Sequence, residues 1–241
     1  MTHNGDKRTM NIAVILAGGT GTRLGEDIPK QYIKVKDKPI IAYCLDKFVN
    51  NPVIDAIQIV ANPMWHTFIL EVLETNGLAE SGKWKGFSEP GQTRQLSIYN
   101  ALKDAVRYAL PDDYIMFHDA ARPLVSYEFI KACFEGVKGH DGILPVLPMK
   151  DTVYLSENGK SVSGLLDRKQ VFAGQAPEVF KLEPYYEANR VLLPDEILKI
   201  NGSTEPAVLA GMDIALIDGD EQNYKITTKE DLLRFERDWN R

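Results

Sequence analysis

Short apolar runs rich in β-branched residues alternate with longer stretches of helical spacing along most of the chain. Asn11–Leu16 (NIAVIL) predicts a buried strand, and Ile54–Ala61, Tyr114–Phe117, Gly142–Val146 and Asp213–Asp218 predict four more. Helix patterns separate them. Pro39–Val49 carries Ile40, Tyr43, Cys44 and Phe48 in step, and Trp65–Thr75 follows, before a loop punctuated by Gly77 and Gly82. Arg94–Leu110 is the clearest, with Ile98, Leu102, Ala105, Val106 and Ala109 on one stripe and Pro111 to stop it. Tyr127–Phe134 and Pro184–Leu192 predict two further helices, and Thr228–Trp239 closes the chain, with Thr227 and Glu230 at capping-box spacing. This alternation predicts an α/β fold: a mostly parallel central sheet with helices on both faces.

One segment breaks the alternation. Lys150–Phe172 holds two extended runs around a turn at Glu157-Asn158-Gly159-Lys160, and Asn-Gly in that setting is a strong hairpin signal. A hairpin inserted in an α/β domain is a lid over its own subunit or an arm to a partner. Val153, Leu155, Val162, Leu165 and Leu166 are too many apolar residues for a free loop, which favours the arm. Residues 10–241 are therefore expected to form a single domain with an arm at about 150–172. Met10 is the expected natural start, and residues 1–9 a disordered leader.

Composition narrows the function. The 241 residues carry a net charge of −6, with 44% hydrophobic and 26% charged residues, which suits a globular protein and argues against a general binder of nucleic acid or anionic membrane. No apolar run approaches a membrane span, and MTHNGDKRTM lacks the apolar core of a signal peptide. Cys44 and Cys133 are isolated, as expected of inert thiols in the reducing cytoplasm.

The candidate chemistry begins just after the first strand, in AGGTGTRLGEDIPK (Ala17–Lys30). Gly18, Gly19 and Gly21 would let bare N–H groups approach an anion, with glycine's freedom at positive φ. Arg23 adds a fork suited to phosphate oxygens, and Lys30 a compact charge. The loop lacks the Gly-Lys-[Ser/Thr] of a P-loop, and Leu24 occupies the third glycine position of a dinucleotide fingerprint. It suits a triphosphate.

Three further motifs fall where an open α/β sheet binds ligands, beyond the strand ends. Gly91, Gln92, Arg94 and Ser97 open the long helix, whose N-terminus offers unpaired N–H groups. In HDAARP (His118–Pro123), Asp119 stands at a strand terminus, where one carboxylate can hold Mg²⁺ while phosphates supply other ligands. His118 has no second His or Cys at metal spacing and is expected to be structural. Arg122 either contacts a substrate or braces the loop. Lys225 lies within Asn223–Thr227 (NYKIT), after the last strand.

In order, AGGTGTRLG, Pro29-Lys30-Gln31, Gly91–Ser97, HDAARP, Lys150-Asp151-Thr152, Asp167-Arg168 and NYKITTKEDL resemble the cytidylyltransferases that make CDP-methylerythritol in isoprenoid synthesis and CDP-ribitol in wall or capsule synthesis. The resemblance spans residues 10–241. It implies a Rossmann-like nucleotidyltransferase domain forming a homodimer through the arm. It implies that Ala17, the glycine loop, Gly91, Arg94 and Ser97 bind CTP, and that Arg23, Lys30 and Lys225 are catalytic. Asp119 would bind Mg²⁺, and Arg122, Thr152 and Arg168 would bind a polyol phosphate, the last two from the partner's arm. The residue types agree with that chemistry. A phosphomonoester is already an anionic nucleophile near neutral pH, so the reaction requires positioning and charge neutralisation, and no general base.

Two departures touch the acceptor side. Gly174–Glu178 reads GQAPE where relatives usually show Gln-Thr-Pro-Gln, and Ser203-Thr204-Glu205 lacks a typical central Asp. AGGTGTR leans towards the ribitol branch and HDAARP towards the methylerythritol branch. The rivals are a sugar-1-phosphate nucleotidyltransferase, which shares the glycine loop, and a non-catalytic nucleotide sensor, which would be expected to lose Arg23, Lys30, Asp119 or Lys225.

Overall fold

The structure, a computed structural model, describes residues 8–19, 28–75 and 77–239. Its spine is β1 (Asn11–Leu16), paired in parallel with β4 (Ala56–Val60) on one side and β6 (Tyr114–Asp119) on the other. Both faces of β1 are covered, which is why its sequence is apolar throughout. Ile12 and Val14 enter one core cluster, while Ala13 and Ile15 enter the other.

On the first face the cover is α4 (Arg94–Ala105), α6 (Leu182–Arg190) and α7 (Glu205–Leu209). On the second it is α1 (Ile40–Val49), α2 (His66–Thr75) and α5 (Tyr127–Gly136). The closing helix α8 (Lys229–Asp238) buries Phe235 against Tyr43 of α1. The short strands β2 (Lys34–Val35) and β3 (Lys38–Pro39) form a separate ribbon before α1. A four-residue helix, α3 (Leu78–Ser81), precedes β5 (Trp84–Ser88), which extends the sheet beyond β4.

The other half of the sheet is mixed. Its long strand β7 (Gly142–Pro148) follows α5. The hairpin β8 (Tyr154–Leu155) and β9 (Gly164–Leu165) comes next. Then β10 (Phe172–Gly174) and β11 (Glu178–Lys181) run antiparallel along one edge of β7, and β11 also pairs antiparallel with β6. The last strand, β12 (Ile214–Asp218), lies parallel along the other edge of β7. The sheet is thus mostly parallel, with an antiparallel wedge between β6 and β7.

Several local expectations shift. Neither β5 nor β11 shows in the apolar pattern: β5 is an edge strand holding Lys85 and Gly86 (φ 114°), and β11 is four residues long. Helix α4 ends at Ala105, after which i→i−3 bonds from Arg107 and Tyr108 tighten the chain into turns. The capping box is Thr228 with Asp231, one residue later than the spacing suggested. Of the leader, Arg8 pairs with Asp55 at 3.1 Å, while residues 1–7 lie outside the described residues.

Candidate active site

A cavity of about 420 Å³ opens where β1, β4 and β6 end, and Gly18, Gly19, Lys30, Gly91, Arg94 and Asp119 all line it. The glycine loop is pinned from below. Gln31, almost fully buried, donates from Nε2 to Ala17 O at 2.6 Å and Gly19 O at 2.8 Å, and the Tyr32 hydroxyl donates to Ala17 O at 3.2 Å. These bonds fix Ala17, which is buried behind the cleft and does not itself line it, between Leu16 and Gly18, which do. Gly18 does not use positive φ, contrary to expectation; a Cβ there would sit 2.7 Å from Pro90 Cβ, so closeness to the opposite wall demands the glycine. Gly21 and Arg23 lie outside the described residues.

The facing wall is the entry to α4. Thr93 caps the helix, accepting from Leu96 N at 3.1 Å. Ser97 accepts from Gly91 N and donates to Thr93 O, each at 2.9 Å. Its hydroxyl therefore sets the shape of the Gly91–Ser97 loop, a structural duty the sequence did not disclose.

At the floor, Asp119 gathers three cations. Arg94 Nε lies 3.3 Å from Oδ1, while Arg122 Nε at 3.3 Å and Lys225 Nζ at 3.1 Å share Oδ2. Burial alone would raise this carboxyl; Arg94, Lys225 and Arg122 outweigh it and hold it well below the usual carboxylate range. Arg94 and Lys225 line the cleft, whereas Arg122 points its second donor at Asn223 O, 2.7 Å away. In this arrangement Arg122 braces the loop. His118 is fully buried, bonds Arg122 O through Nε2 at 3.1 Å, and is lowered by burial to about 4, so it is a neutral structural group.

Sequence reasoning missed the ties that place Lys225. Asn223 donates to Ala176 O at 2.7 Å, Gln175 donates to Asp220 O at 2.8 Å, and Ile226 N donates to Ala121 O at 2.9 Å. Local sequence held no signal for these, because each joins segments far apart in the chain, two of them through the connection between β10 and β11. Thr152 and Arg168 stand apart from the cleft, exposed on the arm, where Arg168 donates to Lys150 O at 2.8 Å.

Asp119 is the one carboxylate among the described residues lining the cleft. No cluster of three or more His, Cys, Asp or Glu suited to a metal occurs among the described residues. This donor set fits Mg²⁺, which is commonly held by one or two carboxylates plus substrate phosphates, and does not fit an all-protein metal cage. No helix among the described residues is long and apolar enough to cross a membrane. Cys44 and Cys133 are buried and free.

Residues 11–237 match the family described as IspD, 2-C-methyl-D-erythritol 4-phosphate cytidylyltransferase. A ribitol-5-phosphate cytidylyltransferase of Streptococcus agalactiae serotype V is 33% identical over 231 residues, covering 94% of this chain and 93% of that protein. A 2-C-methyl-D-erythritol 4-phosphate cytidylyltransferase of Thermosipho melanesiensis is 33% identical over 225 residues, covering 92% and 95%. Among solved structures, the Francisella tularensis 2-C-methyl-D-erythritol 4-phosphate cytidylyltransferase superposes with a TM-score of 0.77 at 27% identity, covering 96% of this chain and 99% of that one. The 4-diphosphocytidyl-2C-methyl-D-erythritol synthase of Anaerococcus prevotii, at 23% identity, has the same fold with a TM-score of 0.82 over 97% of each chain.

Proposed function

The chain belongs to the IspD cytidylyltransferase family, and on that premise we propose that it joins CTP to an acyclic polyol phosphate, giving the CDP-polyol and pyrophosphate. The acceptor is 2-C-methyl-D-erythritol 4-phosphate or D-ribitol 5-phosphate, the two named for relatives of equal identity. The observation that carries the reading is the cluster of Arg94, Arg122 and Lys225 around Asp119, at the end of β6 and beneath the glycine loop.

An oxygen of the acceptor phosphate attacks the α-phosphorus of CTP, and the bond to the β-phosphate's bridging oxygen breaks to release pyrophosphate. The nucleophile is already anionic, so the task is to bring like charges together. Lys30, with Arg23, holds the triphosphate and the charge that grows on it. The Gly91–Ser97 loop, shaped by Ser97, receives cytosine and ribose beside Arg94, while Ala17, Gly18, Gly19 and Gly21 admit the phosphates. Lys225 orients the acceptor phosphate. Asp119 would hold Mg²⁺, which supplies charge neutralisation at the phosphates.

Residues 10–241 act as one domain, and the arm at about 150–172 joins two copies as a homodimer, bringing Thr152 and Arg168 to the neighbour's acceptor. Arg122 serves that acceptor indirectly, through the loop it braces. A cytoplasmic setting agrees with the free buried thiols. The test is pyrophosphate release with CTP, UTP, ATP and GTP against both polyol phosphates and a set of sugar 1-phosphates. CTP with one polyol phosphate is the expected pair. Turnover confined to a sugar 1-phosphate would replace the reading, and nucleotide binding without turnover would favour a sensor.

A further inference from the structure

Behind the cleft wall, Arg94 has a second carboxylate partner. Its Nη2 lies 3.8 Å from Glu178 Oε2, at the start of β11, while its Nε faces Asp119. Glu178 is only 7% exposed. Its Oε1 accepts from the Ser203 hydroxyl, and its Oε2 is buried with no hydrogen-bond partner. Such an oxygen is costly unless something compensates it. The compensation that faces it is the Arg94 guanidinium, whose burial penalty is countered first by Asp119 and then by Glu178.

We propose that Glu178 is a positioning residue for Arg94 and does not itself touch substrate. An arginine beside a single carboxylate tends to close on it with both arms of its fork. Here Arg94 meets Asp119 through Nε alone, and its outer nitrogen is drawn towards β11. Glu178 thereby keeps the guanidinium spread along the cleft wall, rather than collapsed onto Asp119, and available to a nucleotide. Ser203 fixes the carboxylate by occupying its other oxygen, so the segment before α7 sets the pose of a cleft cation. The inference rests on the reading of the cleft as a nucleotide site.

Glu178→Met replaces the carboxylate with an apolar chain of similar length, and because it removes one partner of a buried pair while the other stays, some loss of stability is expected. The variant should melt below the parent temperature yet stay folded, since Arg94 keeps Asp119, and should bind CTP roughly 10–100-fold more weakly by calorimetry, the scale known for outer partners of metal ligands. Glu178→Gln, which keeps an oxygen for Arg94, should recover most of that loss. Combined with Arg94→Ala, Glu178→Met should add nothing further, because its effect passes through Arg94. Parent-like CTP binding by Glu178→Met, no recovery by Glu178→Gln, or additive losses in the double variant would each overturn the positioning role while leaving the nucleotide site intact. A parent protein that does not bind CTP would overturn both.

Discussion

Lys225 Nζ lies 3.1 Å from Asp119 Oδ2, tying a loop near the end of the chain to the terminus of β6. Arg94 and Arg122 converge on the same carboxylate. One buried acid thus gathers three cations beside a glycine loop, an arrangement with more positive charge than its own structure balances. A polyanionic ligand completes that balance.

Removing Lys225 tests the point. Its side chain is partly exposed, so Lys225→Ala should fold and melt within a few degrees of the parent. Loss of one preorganised charge contact should slow turnover on the order of a hundredfold or more. The same is expected of Lys30→Ala and Arg23→Ala. Steady-state kinetics decide it: near-normal kcat in Lys225→Ala would remove that residue from the chemistry.

Gln31 makes a different prediction. Its amide satisfies two carbonyls of the glycine loop, and Gln31→Leu leaves Gly19 O without that donor and Ala17 O with Tyr32 alone. The cost should be about 1 kcal/mol in denaturant unfolding, the net worth of a hydrogen bond, because the buried Ala17 O keeps Tyr32 and the carbonyl of exposed Gly19 can turn to water. KM for CTP should rise as the loop loosens. An unchanged KM alongside the stability loss would show that the loop finds its shape without Gln31.

The alternation of β1, α1, β4 and α2, and of β6, α5 and β7, was legible because strands buried on both faces are apolar throughout and helices repeat on their own period. The antiparallel wedge was not. Val179 and Phe180 are its only apolar positions, too few to carry a period, and its place between β6 and β7 is set by partners distant in sequence. In the site, Lys30, Arg94, Asp119 and Lys225 could be singled out because each follows a strand or opens a helix. Glu178, and the bracing by Gln175 and Asn223, could not. Their meaning lies in contacts across the sheet that local sequence does not encode.

Acid should weaken the fold through His118. Its buried imidazole titrates near 4 when folded, against 6.5 for an ordinary histidine. Between those values the unfolded chain binds the extra proton, so stability falls as pH drops through that window and is level above it. From pH 7 to pH 5 the loss should be about 2 kcal/mol. Asp119 works in the same sense at lower pH: its depressed carboxyl contributes stability that is lost only in stronger acid. Denaturant unfolding of His118→Gln at both pH values should show a flatter dependence, and an undiminished slope would assign the acid sensitivity elsewhere.

The arm carries the last prediction. Tyr154, Leu155, Val162 and Leu165 are between 49% and 67% exposed in the single chain, and among the described residues β8 and β9 pair only with each other. Thr152 and Arg168 occupy the same exposed segment, away from the cleft that holds Lys30. An apolar hairpin left in water invites pairing, and a two-fold partner removes that exposure. If the arms cross, each site combines Lys30 of one subunit with Arg168 of the other. Lys30→Ala and Arg168→Ala homodimers should then be nearly inactive, while a heterodimer of the two keeps one site with both residues intact. Equal mixing under subunit exchange should restore roughly a quarter of parental activity, since half the dimers are mixed and each has one good site. If the arm folds back as a lid on its own subunit, every subunit carries one defect and the mixture stays as inactive as its parents.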